Sequence, residues 1–382
     1  MMHSNYSYWE DKTFFKHYDV IVIGSGIVGL NAAYQLKFKE PVLKVGVIEA
    51  GFLPTGASTK NAGFACFGSI SEILNELKTS TEEEVLEVVE ARWKGLVKLK
   101  MILGEKAIDY QNFGGYEVFK GGEEFSSLTC IENIPYFNKL FKSITGQTDI
   151  YAVANKNKAA VFGFSHVNSM IYNRCEAQID TGKMMSALLG RVQEVNTPVF
   201  NNCKLLEIIH QENHVILKTN QGVFKTNKVI IATNGFINEF YPDLQVFPGR
   251  GQVLVTQQIP TLKIKGTFHY DKGFFYFRNI NNRILLGGGR NIDFKLEETT
   301  QAGITDQVQS ALEELLYETI IPDEKPIIEY RWSGVMAFGN ELKPIIKKLE
   351  PNVFCAVRCN GMGVSMGSLS GQQVADLVLN EM

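Results

Sequence analysis

The sequence predicts an α/β protein of two domains, one on a parallel sheet and one on a mostly antiparallel sheet. Three observations lead there. The run Asp19-Val20-Ile21-Val22-Ile23 passes directly through Gly24-Ser25-Gly26-Ile27-Val28-Gly29 into apolar positions at helical spacing, Leu30, Ala32, Ala33 and Leu36, as a buried parallel strand, turn and helix would. Residues from about 248 to 332 are instead rich in strand formers, as in Val253-Leu254-Val255-Thr256, and read as a second sheet. The 382 residues also exceed one module at roughly 150 residues per domain.

Taken in order, the stretch 1–19 carries Glu10 and Asp11 among aromatics, unlike the basic start and unbroken apolar run of an export signal. No segment has the roughly 18 consecutive apolar residues of a spanning helix, so a cytoplasmic protein is expected. The GxGxxG that follows stands at a strand-to-helix turn. Gly24 permits the bend, Gly26 lets the backbone approach a pyrophosphate, and Gly29 allows the helix to pack on the strand; the helix N-terminus then faces the phosphates. A second strand, Lys44 to Ile48, ends at Glu49, twenty residues beyond Gly29, where a carboxylate accepts ribose hydroxyls and repels a 2′-phosphate. The next stretch, Gly56-Ala57-Ser58-Thr59-Lys60-Asn61-Ala62-Gly63-Phe64, has no counterpart in a simple nicotinamide-binding fold. Its hydroxyls and N–H groups suit phosphates and a flavin ring, which favours FAD.

From Ile70 to Leu103 apolar residues recur at spacings of three and four, marking one long or two consecutive amphipathic helices, with Ser69 or Ser71 as a cap. Short strands at 205–209, 215–219 and 223–225, joined by Asn- and Gly-containing turns, form a β-meander. His210 and His214 flank a hairpin, and Cys355 and Cys359 lie in a strand and a turn, so no metal site is expected. A helix-like stretch near 307–317 and a closing helix over 370–379 complete the pattern. The formal charge of −3 supplies no field to hold a phosphate backbone, which disfavours nucleic acid as a partner. Six cysteines without a CxxC pair read as buried thiols in a reducing compartment.

Several later segments carry a resemblance: Lys228-Val229-Ile230-Ile231-Ala232-Thr233-Asn234-Gly235, Pro248-Gly249-Arg250-Gly251-Gln252, Tyr276-Phe277-Arg278, Arg283 to Arg290, Arg331-Trp332-Ser333-Gly334 and Asn360-Gly361-Met362-Gly363-Val364. With the glycine turn, their order and spacing resemble the D-amino-acid oxidase-like family of FAD-dependent oxidoreductases, which includes glycine, sarcosine and γ-glutamylputrescine oxidases. The resemblance implies a Rossmann-like FAD-binding domain with a β-meander (1–79, 176–247 and 333–382) and an α+β substrate domain on a mostly antiparallel sheet (80–175 and 248–332). It implies FAD on Gly24, Gly26, Ile27, Gly29, Glu49, Ala50, Ser58, Thr59, Lys60, Asn61, Ala62, Leu205, Ala232, Thr233, Asn234, Gly235, Asn360, Gly361, Met362, Gly363 and Val364. It also implies a substrate wall of Tyr270, Tyr276, Arg278, Arg290 and Trp332.

The chemistry so implied is oxidation of a small amine or amino acid to an imine that hydrolyses. A 2-hydroxyacid dehydrogenase and a tRNA-modifying flavoenzyme are the alternatives on the same scaffold. Departures from the family narrow this. Val335-Met336-Ala337 replaces a carboxylate-clamping arginine, and no cysteine lies between Cys203 and Cys355, so the flavin is expected to be non-covalent. The oxygen-activating lysine of sarcosine-oxidase-like members would fall near Leu285, which leaves Lys60 for that task or an acceptor other than dioxygen. Met362 occupies a place where amine-oxidising relatives often carry histidine. The oligomeric state is not legible.

Overall fold

A computed structural model describes residues 6–382; residues 1–5, part of the expected first domain and of the N-terminal stretch read above, lie outside them. Two eight-stranded sheets organise the fold. In the first, Tyr18–Ile23 lies between Val45–Ile48 and Val223–Ile231, and Val353–Val357 pairs beyond the latter, all in parallel. Its strands are apolar on both faces because both are covered. Val20 and Val22 pack under the helices Ile27–Lys39 and Gly363–Leu379, whereas Ile21 and Ile23 face the meander side with Val215, Phe224 and Val229. That alternation is the two-residue period of a strand. The meander is Leu205–His210, Val215–Thr219 and Val223–Ile231, its third strand running on as one piece into the parallel core.

The second sheet runs Ile328–Phe338, Phe247–Thr256, Arg283–Gly288, Phe275–Ile280, Thr267–Tyr270, Gly115–Lys120, Val167–Asn173 and Tyr151–Val153. Of its neighbouring pairs, Thr267–Tyr270 with Gly115–Lys120 is parallel and the others are antiparallel. Asn281 and Asn282, both at positive φ (47° and 58°), make the two-residue turn whose twist suits a hairpin. Helix Asp306–Leu315 covers one face through Val308, Leu312 and Leu315. The edge strand Ile328–Phe338 continues unbroken across the boundary expected at 332/333, and so carries second-sheet backbone into the cleft between the sheets.

The amphipathic stretch after Ser69 is two helices, Ile70–Glu76 and Glu82–Leu103, each opened by a capping box, Ser69 with Glu72 and Thr81 with Glu84. The last helix starts at Gly363, seven residues before the expected start. Its glycines are there for packing, since a Cβ on Gly367 would stand 2.5 Å from Ile27 Cγ2 and one on Gly371 2.6 Å from Asn31 Cβ. Among the described residues no helix is long and apolar enough to cross a membrane.

Gly371→Ala should therefore lower the unfolding free energy by roughly 1–3 kcal/mol, the scale of overpacking. Gly190→Ala, in helix Thr181–Glu194 with no atom within 4 Å of the added carbon, should raise it by about 0.5–1 kcal/mol through helix propensity. Urea titration of both variants checks the contrast.

Candidate functional site

The glycine turn, the loop after Glu49 and the N-terminus of the last helix converge on one cavity of about 600 Å³ between the sheets. Gly24 takes φ +103°, and an added Cβ would stand 2.9 Å from the Ala232 carbonyl oxygen. Gly26 leaves room for Ser58, whose Oγ accepts from the Ile27 N–H at 2.9 Å. Glu49 is fixed with one oxygen accepting from Ser25 N and Oγ (2.9 and 2.7 Å) and the other from Gly51 N (2.8 Å). Ala50, Lys60, Asn61, Ala62, Leu205, Ala232, Thr233, Asn234 and Asn360 through Val364 also line the cavity.

These residues fit FAD on observations independent of the motif. Thr233 Oγ1 and Asn360 Oδ1 are buried without a hydrogen-bond partner, although both residues line the cavity. The N–H groups of the first turn of Gly363–Leu379 have no side-chain cap, and such groups attract negative charge. Three expected cofactor residues stand off the cavity. Gly29 packs on the turn itself, where a Cβ would be 1.9 Å from Gly24 O, and Gly235 abuts Met336 O. Thr59 turns its hydroxyl to the Pro54 and Gly56 carbonyls (2.5 and 3.2 Å).

Of the five residues of the expected substrate wall, Tyr276 and Arg290 reach the cavity, as does Lys60, and the other three do not. Tyr270 points to the opposite face of its strand, against Phe275, because neighbouring side chains alternate. Arg278, 3% exposed, donates to the carbonyls of Gly63 (3.3 Å) and Ile179 (2.9 Å); burial pulls its pKa down to about 10. Trp332 donates its indole N–H to the Lys60 carbonyl at 2.9 Å and packs beside Val253 and Leu285. His210, a residue of the hairpin, pairs with Glu350 at 2.5 Å.

Sequence reasoning missed a buried polar cluster behind this wall. His269, next to the expected Tyr270, faces the cavity, its ring edge-on to Phe64 at 5.3 Å. Its Nε2 lies 2.8 Å from Glu176 Oε1 and its Nδ1 3.8 Å from Glu72 Oε2. Burial pulls the imidazole pKa down, but Glu176 and the other carboxylates outweigh that and raise it to about 9. Glu117, buried beside them, is pushed up to about 7 by burial, against the hydrogen bond from Ser71. Cys66 Sγ, Glu176 and His269 offer ligand atoms within 4.8 Å of one another. Glu176 and His269 already bond each other, however, and burial pushes the Cys66 thiol well up, so the group reads as an ion pair beside a neutral thiol. Residues 72, 117, 176 and 269 have no sequence spacing to announce them.

A family model described as FAD dependent oxidoreductase matches residues 19–377. Gamma-glutamylputrescine oxidoreductase of Escherichia coli (strain K12) is 22% identical over 94% of this chain and 83% of that protein. Thiamine thiazole synthase of Phaeosphaeria nodorum is 43% identical over 51 residues, 13% of this chain and only 16% of its own length. The glycine oxidase structure from Geobacillus kaustophilus superposes with a TM-score of 0.76 at 18% identity, over 95% of each chain, and so shares the fold.

The cluster has a consequence for stability. Glu117 titrates near 4.5 ordinarily and near 7 here, so the folded state holds a proton that the unfolded chain releases between those values, and stability falls as pH rises through that window. Glu117→Gln keeps an acceptor for the Ser71 N–H and removes that titration. Relative to the parent, the variant should gain roughly 1–3 kcal/mol between pH 4.5 and pH 7.5, read by urea unfolding at each pH.

Proposed function

The chain belongs to the DAO family of FAD-dependent oxidoreductases, and on that premise we propose that it oxidises the C–N bond of a small amino acid or amine, with FAD held non-covalently. Arg290 carries this reading. It lines the cavity, lies 3.9 Å over the Phe338 ring and 4.8 Å over Phe294, and makes no hydrogen bond or ion pair among the described residues. Burial lowers its pKa, against the pull of Glu298 and Glu297, which marks it as partly stripped of water. An unpaired guanidinium in that state suits a substrate carboxylate, and it stands in for the arginine that Val335-Met336-Ala337 does not supply.

The remaining tasks fall to the wall. Bound FAD supplies the hydride acceptor, and the resulting imine hydrolyses in water. The reacting amine must be neutral, and Phe64, Val253, Tyr276, Met336 and Met362 exclude water where the ammonium form would need it. Burial raises Tyr276 to about 12, so its phenol stays protonated and is available to donate to a bound substrate. The backbone N–H groups at the start of Gly363–Leu379 face the same cavity and favour negative charge there. The thiols of Cys66, Cys203 and Cys359 line it too, and burial raises each pKa; neutral thiols are poor nucleophiles, in keeping with a non-covalent flavin. Lys60, without an ion pair among the described residues, is the candidate to assist dioxygen; otherwise another acceptor takes the electrons. Six free, buried cysteines agree with a cytoplasmic setting.

A 2-hydroxyacid is the second reading, because Arg290 would hold its carboxylate equally well. Anaerobic titration with amino acids, amines and 2-hydroxyacids should bleach the flavin only with the nitrogen compounds. Bleaching by hydroxyacids alone would overturn the proposal. Arg290→Gln should raise KM for amino acids by roughly 10–100-fold, the loss of a charge-assisted contact, and should affect amines lacking a carboxylate far less.

A further inference from the structure

Arg290 leaves one charged feature of the cavity unexplained. Three carboxylates line it: Glu49, Glu239 and Glu72. Glu49 is held by Ser25 and Gly51, and Glu239 pairs with Lys204 at 3.2 Å. Glu72 uses Oε2 to accept the Ser69 N–H at 2.7 Å, while its Oε1 accepts no hydrogen bond among the described residues. Gly273 leaves room for that oxygen, since a Cβ there would stand 1.9 Å from it. Behind Glu72 lie Glu176 and Glu117, and among the described residues no lysine or arginine pairs with any of the three. His269, 5% exposed and lining the cavity, is the single cation in the group. With Nε2 on Glu176, its Nδ1 is left without a hydrogen bond, 3.8 Å from Glu72 Oε2.

We propose that Glu72 recognises a second cation on the substrate, an ammonium or guanidinium remote from the C–N bond that is oxidised. The inference rests on the amine reading above and narrows it to substrates with an additional basic group. The carboxylates of Glu72 and Glu176 share one imidazole, with the protonatable Glu117 behind them, and a cation at the unbonded Oε1 relieves the poorly solvated negative charge. The cation is not the reacting amine, because a carboxylate beside that nitrogen would hold it protonated, and the protonated form has no lone pair to assist hydride loss. Lys272, the other cation on this side, is exposed and forms no ion pair with Glu72.

The test separates cation binding from turnover. Calorimetric titration of the FAD-loaded protein compares n-butylguanidine with its neutral isostere n-butylurea. The guanidinium should bind at least about tenfold tighter to the parent, and in Glu72→Gln, which keeps the Ser69 contact and hence the helix cap, the two should bind alike. Equal binding of both probes to the parent, or a preference that survives the substitution, overturns the inference. With substrates, lysine should bleach the flavin at lower concentration than norleucine. If the guanidinium preference depends on Glu72 but no amine bleaches the flavin, the cation site stands and the amine reading falls.

Discussion

The site depends on one buried guanidinium joining two parts of the molecule. Arg278 projects from the second sheet, in strand Phe275–Ile280, and donates to carbonyls of the loop after Glu49 and of the segment before helix Thr181–Glu194. The Gly63 carbonyl also accepts the Ile179 N–H at 2.8 Å, so the guanidinium clamps a loop-to-segment contact that the backbone has already made, and a buried acceptor left unmet would cost about 1–3 kcal/mol. The same strand presents Tyr276 to the cavity two residues earlier. Holding Arg278 therefore sets the distance between the cofactor loop and the substrate wall, and an arginine that reads from sequence as a substrate ligand is instead a brace.

This explains how much was legible in advance. The nucleotide end could be read because its logic is local: a strand, three glycines, a helix and a carboxylate twenty residues on occupy one βαβ unit. The second sheet and its antiparallel character were equally visible. The facing of its strands was not. Period-two alternation says that His269 and Tyr270 point opposite ways, but only the packed sheet says which way the cavity lies. The late start expected for the last helix has another cause, because glycines read as a turn until the neighbouring helix that requires them is known. The acidic cluster was invisible for a third reason, since its members come from four separate segments and meet only in the folded chain.

The cavity is also electrically divided. Its nucleotide end offers helix N–H groups and a carboxylate already engaged by hydrogen bonds. Its far end sets the free Arg290 guanidinium on aromatic faces and Glu72 in front of a buried histidine and two more carboxylates. Burying such charge is expensive, and unpaired ionisable groups kept in a cleft are more common at working sites than in structural cores. Phe64, from the loop after Glu49, sets its ring edge-on against both His269 and Tyr276.

The order in which the first sheet is assembled bears on how the chain is made. Tyr18–Ile23 and helix Ile27–Lys39 emerge early, yet the strand Val353–Val357 and the second helix over Val20 and Val22 follow more than 300 residues later. At roughly 5–20 residues per second, the apolar face of the nucleotide unit waits tens of seconds on the ribosome for its cover. Until then Val20 and Val22 have helix Ile27–Lys39 as their only cover from that side, so the nucleotide-binding turn acquires its full packing only when the far end of the chain returns to it.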